Sequence, residues 1–78
     1  MKNEFFESSD ISLVAALCCL GFHLDTIDKT NPKRAIFIVR RDQGLDEVIQ
    51  RFWSHAVLVD PMAYFGALKE IKTRLYQN

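Results

Sequence analysis

The first third of the chain carries a continuous apolar run. Residues 11–20 are apolar except for one serine, and Asp10 before them is a good N-cap, so we expect a buried first helix. Gly21 suits the left-handed position just past the end of that helix. Phe5 and Phe6 precede the cap, and we expect them to fold back against the first turn.

Residues 22–27 alternate between two faces, as the residues of a strand do. One face carries Phe22, Leu24 and Thr26, and the other carries His23, Asp25 and Ile27. Residues 28–33 supply turn formers, and residues 35–39 are the most β-prone run in the chain. The pattern predicts a β-hairpin.

The second strand of this hairpin is apolar on both faces. Such a strand needs cover on both sides, either from helices alone or from helices on one side and a second copy of the protein on the other. Self-association through this strand is therefore our first hypothesis. The residues assigned to it are Ile36, Phe37, Ile38 and Val39.

Two further helices are predicted after the hairpin. Asp42 is expected to cap the second one, whose apolar positions are Leu45, Val48, Ile49, Phe52, Trp53 and Ala56. Asp60 followed by Pro61 is the signature of a third helix start, and that helix should run to about Tyr76. Its predicted apolar face consists of Tyr64, Leu68, Ile71 and Leu75, with Phe65 adjoining. Residues 57–59 form a connector or a third, edge strand.

The order α-β-β-α-α within 78 residues predicts a single small α+β domain, a β-hairpin packed with three helices. We place that one domain over residues 1–78, with an ordered core from about residue 5 to residue 76. No linker, repeat or low-complexity stretch divides the chain.

Several short motifs give the chain a family resemblance. These motifs are Ser9–Ile11, Gly21–Phe22, Asn31–Pro32, Phe52–Trp53, Val59–Pro61, Tyr64–Phe65 and Ala67–Lys69. With them the chain resembles a family of short, uncharacterised bacterial and phage domains, classed as a domain of unknown function. The resemblance implies a standalone single domain in a prokaryotic or phage setting. It supplies no activity, cofactor or catalytic residue.

Composition narrows the class of protein. Hydrophobic residues make up 49% of the chain and charged ones 26%, which is typical of a folded globular protein. Cys18 and Cys19 are adjacent, so their side chains diverge on a helix and do not form a disulfide framework, which favours a reducing cytoplasm. The apolar run at residues 11–20 is too short to span a bilayer, so we predict no membrane association.

Net charge is zero, but one segment is strongly basic. Between residues 29 and 41 lie five basic residues and no acidic one: Lys29, Lys33, Arg34, Arg40 and Arg41. One interpretation is a solvated edge that discourages aggregation and pairs with nearby aspartates. The other is a nucleic-acid-binding hairpin that contacts phosphates and loses affinity as salt rises. Arg40 and Arg41 lie far along the strand from the turn pair, so one flat patch of all five is not expected.

Residues that could carry chemistry are few and scattered. His23 and Asp25 share a strand face, which is the beginning of a general-base arrangement, but no nucleophile is placed beside them. His55 and Asp60 bracket the second connector, and two ligands are weak evidence for a metal. We therefore predict no enzymatic activity, no cofactor and no metal.

The aromatic residues Phe52, Trp53, Tyr64 and Phe65 could in principle stack on nucleic-acid bases, but their helical spacing favours a core role. Our leading interpretation is a non-enzymatic, cytoplasmic protein–protein interaction module that self-associates as a homo-oligomer. The alternative is a small nucleic-acid-binding protein that uses the basic hairpin.

Overall fold

The computed structural model describes residues 4–77, and its elements alternate differently from the predicted order. The elements are β1 (Phe5–Ser8), α1 (Ile11–Cys19), β2 (Leu24–Asp28), β3 (Ile36–Arg40), α2 (Leu45–Trp53) and α3 (Pro61–Leu75). The predicted α+β class, with a hairpin and three helices, is confirmed. The order is β-α-β-β-α-α, because one strand was missed.

The missed strand is β1, at the segment expected to fold back on the first helix. It pairs antiparallel with β3, with Phe6 opposite Val39, and the Arg41 amide extends the pairing by donating to the Glu4 carbonyl. The sheet order is β1-β3-β2, so β3 is central. The prediction for the N-terminal segment was wrong because β3 offers a second edge whose backbone groups need partners. Residues 57–59 form a connector, not an edge strand.

The alternation predicted for the first strand of the hairpin is broken by a bulge. The register of β2 against β3 shifts between Leu24 and Thr26, which leaves Asp25 as the extra residue. Leu24 is consequently buried and Ile27 packs against the core, while Thr26 is exposed. The prediction that Leu24 and Thr26 share a face, opposite Ile27, was therefore wrong.

Helix α1 has the boundaries that the sequence predicts. Asp10 caps it by accepting from the amides of Ser12 and Leu13, at 3.0 and 3.3 Å. At the other end Gly21 takes φ +100°, and the amide of Phe22 donates to the Leu17 carbonyl in a Schellman motif. Both ends are thus satisfied by local contacts.

Helices α2 and α3 begin in different ways. The residue preceding α2 is Gly44 at φ +90°, and no side chain caps the helix, so the prediction of Asp42 as its cap was wrong. Asp60 caps α3 by accepting from the Ala63 amide at 2.8 Å, and Pro61 is its first residue, as predicted.

The core lies between the sheet and the helices. It is built from Leu13, Val14, Ala15, Leu17, Leu24, Phe37, Val39, Leu45 and Ile71. Because Phe37 and Val39 alternate with Ile36 and Ile38 along β3, the helices cover one face of the sheet and leave the other open. The molecule measures 37 × 33 × 18 Å, so it is flat, with one layer of strands under one layer of helices.

Candidate interaction surfaces

The structure distributes the five basic residues of segment 29–41 over separate places. Arg41 is half-buried behind β3, where its guanidinium pairs with Asp46 and lies 5.8 Å from the centre of the Phe6 ring. Lys29 donates its ammonium group to the carbonyls of Leu75 and Gln77, at the C-terminal end of α3. Both cations therefore make contacts within the fold.

The other three basic residues are exposed. Lys33 and Arg34 form the hairpin turn, and the Arg34 guanidinium donates to the Ser9 hydroxyl at 3.0 Å. Arg40 lies at the opposite end of β3 and is paired in register with Phe5. The separation of the turn pair from the strand end, expected from strand rise, is what the structure shows.

A groove beside the turn pair gathers a further cation. It is open, holds about 380 Å³, and is lined by Lys33 and Arg34 from the turn and by Lys72 and Tyr76 from the C-terminal end of α3. Among the described residues that line this groove, three are basic and none is acidic. No local pattern in the chain indicates this groove, because Lys72 is 38 positions from Arg34.

A second, larger cavity has the opposite character. It holds about 760 Å³ where β3 leads into α2. Its walls carry the carboxylates of Glu4, Asp42, Asp46 and Glu47 against the guanidinium groups of Arg40 and Arg41. The four carboxylates outnumber the two guanidinium groups there, so this cavity does not favour an anionic ligand.

The four residues predicted for self-association lie on two different faces. Phe37 and Val39 are 2% and 0% exposed beneath the helices, so they are core residues and cannot contact a second copy. Ile36 and Ile38 lie on the open face of the sheet and are partly exposed. This correction follows from the pleat, which sends successive side chains to opposite faces.

The open face of the sheet is only partly apolar. Phe5 joins Ile36 and Ile38 there, but register places the carboxylate of Glu7 opposite Ile38 and that of Asp28 opposite Ile36. The apolar area is therefore narrow and interrupted by charge.

Large apolar side chains are also exposed on the helical side of the molecule. Four large side chains are exposed there: Trp53 by 59%, Leu58 by 92%, Met62 by 77% and Phe65 by 65%. We call them the helical apolar patch. Trp53 was assigned to the apolar stripe of the second helix and Phe65 to the edge of that of the third, and the structure corrects both assignments. The sequence contained a signal for this exposure in the helical phase. Successive residues are rotated by about 100°, so Trp53 lies to one side of Phe52, and Phe65 lies to one side of Tyr64.

Gly66 follows this patch on the exposed side of α3. A Cβ built on it meets no atom within 4 Å, and its backbone φ is not in the left-handed region. Neither close packing within the fold nor an unusual backbone conformation requires glycine at this position. Glycine in the interior of a helix nevertheless destabilises it by about 0.5–1 kcal/mol relative to alanine.

The residues considered for chemistry are not assembled into a site. His23 and Asp25 are both exposed, and within residues 4–77 no hydrogen bond joins their side chains. His55 lies two residues past the end of α2, at φ +60°, whereas Asp60 caps α3. In the described part of the chain no three metal-ligating side chains cluster.

The two cysteines are free and half-buried. Burial raises the pKa of the Cys18 thiol above its ordinary value, and this is opposed by the positive charge of Arg74. A raised pKa lowers the fraction of thiolate, which is the nucleophilic form of a cysteine. Among the described helices, none is long and apolar enough to cross a membrane.

Comparison with known proteins gives one match. The model of a family described as a domain of unknown function (DUF5659) matches residues 3–77. No curated protein and no solved structure matches the chain. The match covers both the sheet and the helical apolar patch, and it assigns no activity to either.

Proposed function

We propose that this chain, which belongs to the DUF5659 family of unknown function, is a non-enzymatic protein–protein interaction module that self-associates through α3. Because the family assigns no activity, the proposal rests on the surface of the molecule. The observation that carries the proposal is the helical apolar patch, defined by Trp53, Leu58, Met62 and Phe65. Their exposed areas sum to a value on the order of 500 Å², comparable with the largest apolar patch of a typical monomer, which is often functional.

A second copy of the chain is the occupant that suits this surface. Gly66 lies beside the patch with open space around it, so another helix can approach the backbone of α3 closely there. A standard interface buries about 800 Å² per partner. The patch supplies most of that area, and the exposed residues of the C-terminal half of α3 supply the rest.

Charge favours an antiparallel pairing of the two α3 helices. The exposed side of α3 is apolar at Met62 and Phe65 but basic at Lys69, three residues after Gly66. Parallel pairing would oppose each Lys69 to its copy. An antiparallel pair crossing at Gly66 instead lays the methylene stem of Lys69 over the partner's apolar half and opposes the two helix dipoles.

The sheet offers a competing surface, which the experiment must separate from α3. We expect the wild-type chain to sediment as a dimer at tens of micromolar. Phe65→Glu places a charge in the helical apolar patch and should give a monomer. Ile38→Lys is the matched control on the open sheet face and should leave the dimer intact. Circular dichroism of both variants confirms that they are folded.

Two outcomes would overturn the proposal. A wild-type chain that stays monomeric over this range removes self-association altogether. A dimer that survives Phe65→Glu and is lost in Ile38→Lys would show that the chain self-associates through the sheet and not through α3. The cytoplasmic location and the prokaryotic or phage setting stay predictions, supported by the free cysteines and by the resemblance, respectively.

A further inference from the structure

The groove beside the hairpin turn has the features of a ligand site. Its volume of about 380 Å³ lies within the range of small-molecule sites, about 300–1,000 Å³. Its floor is formed by Ile11, Phe37 and Leu75, and its rim is basic. An apolar floor with cations at the rim suits a ligand that is part anion and part flat apolar group.

The cations at the rim are those that the fold leaves unneutralised. Within residues 4–77, no acidic side chain forms an ion pair with Lys33, Arg34 or Lys72. The hydrogen bond to the Ser9 hydroxyl uses one N–H group of the Arg34 guanidinium and leaves its other donors free. Three positive charges from two distant segments thus converge on one space.

An aromatic ring completes the groove. Tyr76 lies just past the end of α3 and is 77% exposed. Proteins that bind single-stranded nucleic acid combine such cations, which contact phosphates, with aromatic rings, on which bases stack. A duplex keeps its bases stacked inside, so the ring would have no base to contact.

We propose that this groove binds a segment of single-stranded nucleic acid, with phosphates at Lys33, Arg34 and Lys72 and a base stacked on Tyr76. The site differs from the five-residue hairpin surface. It does not include Lys29 and Arg41, which make contacts within the fold, or Arg40, which lies at the far end of β3. It does include Lys72 from α3. It does not depend on self-association.

The test is fluorescence anisotropy with a labelled ten-nucleotide oligouridine. Three phosphate contacts predict a slope near −2 for log K against log salt, so affinity should fall about twentyfold between 50 and 200 mM salt. Lys33→Glu combined with Lys72→Glu should weaken binding more than tenfold. Tyr76→Ala should weaken it about fivefold or more, since stacking contributes about 1–3 kcal/mol per base.

Arg40→Glu, at an exposed member of the basic segment outside the groove, makes the charge change of one of these two substitutions and is the control for each of them taken singly. It should change the affinity less than threefold. An effect equal to that of the groove variants would show a diffuse electrostatic surface and overturn the site. No binding at 50 mM salt, or equal binding of a duplex of the same length, would also overturn it. Uridine monophosphate, added as a competitor, should bind much more weakly than the oligouridine. If the monophosphate bound as tightly as the oligouridine, the ligand would be a single nucleotide and not a nucleic-acid strand.

Discussion

Replacing Gly66 by alanine tests whether this residue serves the fold or a partner. Gly66 is the sixth residue of the 15-residue α3, well inside the helix. Alanine restricts the unfolded chain more than glycine does and suits a helical backbone, and its methyl group would meet no atom within 4 Å. We expect Gly66→Ala to raise the free energy of unfolding of the monomer by about 0.5–1 kcal/mol.

The measurement is thermal unfolding followed by circular dichroism, at a protein concentration below that of self-association. For a domain of this size, the expected gain raises Tm by about 3–6 °C. Gly21→Ala is the matched control. A Cβ at Gly21 also meets no atom within 4 Å, but its φ is +100°, so alanine there should destabilise the fold by about 1 kcal/mol.

The same variant should weaken the dimer. A methyl group at the crossing point separates the two α3 helices, so we expect the dimer dissociation constant to rise about tenfold or more while the monomer becomes more stable. An unchanged or lower Tm would show that the fold itself needs glycine at position 66. A higher Tm with an unchanged dissociation constant would remove Gly66 from the interface.

Two further predictions concern the fold. The hydrogen bond from the Ser12 hydroxyl, with those from two backbone amides, lowers the pKa of Asp10 despite its partial burial. Its contribution to stability is therefore present above the unfolded pKa of about 3.9 and is lost as pH falls through the lower folded pKa. In urea unfolding, Asp10→Ala should lower the free energy of unfolding by about 1 kcal/mol at pH 7 and by less at pH 2.5, while Asp10→Asn keeps the cap. An equal loss at both pH values would contradict this. Arg74 donates to the carbonyls of Leu24 and Asp25, at 3.0 and 3.3 Å. Arg74→Met should lower the free energy of unfolding by about 1–3 kcal/mol, because it leaves the carbonyl of the buried residue Leu24 unpaired. A variant as stable as the wild type would contradict this prediction.

Local signals explain why some elements were predicted well. The ends of α1 and the start of α3 depend on contacts within a few residues, such as the Asp10 cap, the Gly21 turn and the Asp60–Pro61 pair. These contacts form whatever the rest of the chain does, so the sequence pattern contains them. The start of α2 has no side-chain cap, and there the prediction that relied on Asp42 failed.

Nonlocal contacts explain the elements that were missed. Strand β1 has only four residues, and it exists because β3, more than 25 positions later, offers it an edge. The bulge at Asp25 is likewise supported by Arg74, whose guanidinium reaches across 49 positions to its carbonyl. Neither partner can be identified from the alternation of apolar and polar residues alone.

The basic segment shows the same limit for function. Its five charges lie close together in sequence. In the structure, however, Lys29 donates to carbonyls at the end of α3, and Arg41 contacts Asp46 and Phe6. The cation that completes the groove, Lys72, lies outside the segment. A local count of charge therefore identified where a cationic surface begins but not which residues share it.

The apolar residues of α3 outnumber the positions that the core can accept. One side of the helix packs inward through Tyr64, Leu68 and Ile71, whereas Met62 and Phe65 on the other side stay exposed in the described chain. Periodicity reports that a helix has apolar faces, but it does not report how many layers the fold provides. Helical phase indicates that Phe65 lies to the side of Tyr64, but the structure was needed to show that the core does not reach it, and this exposed surface beside Gly66 is the one that we propose a second copy covers.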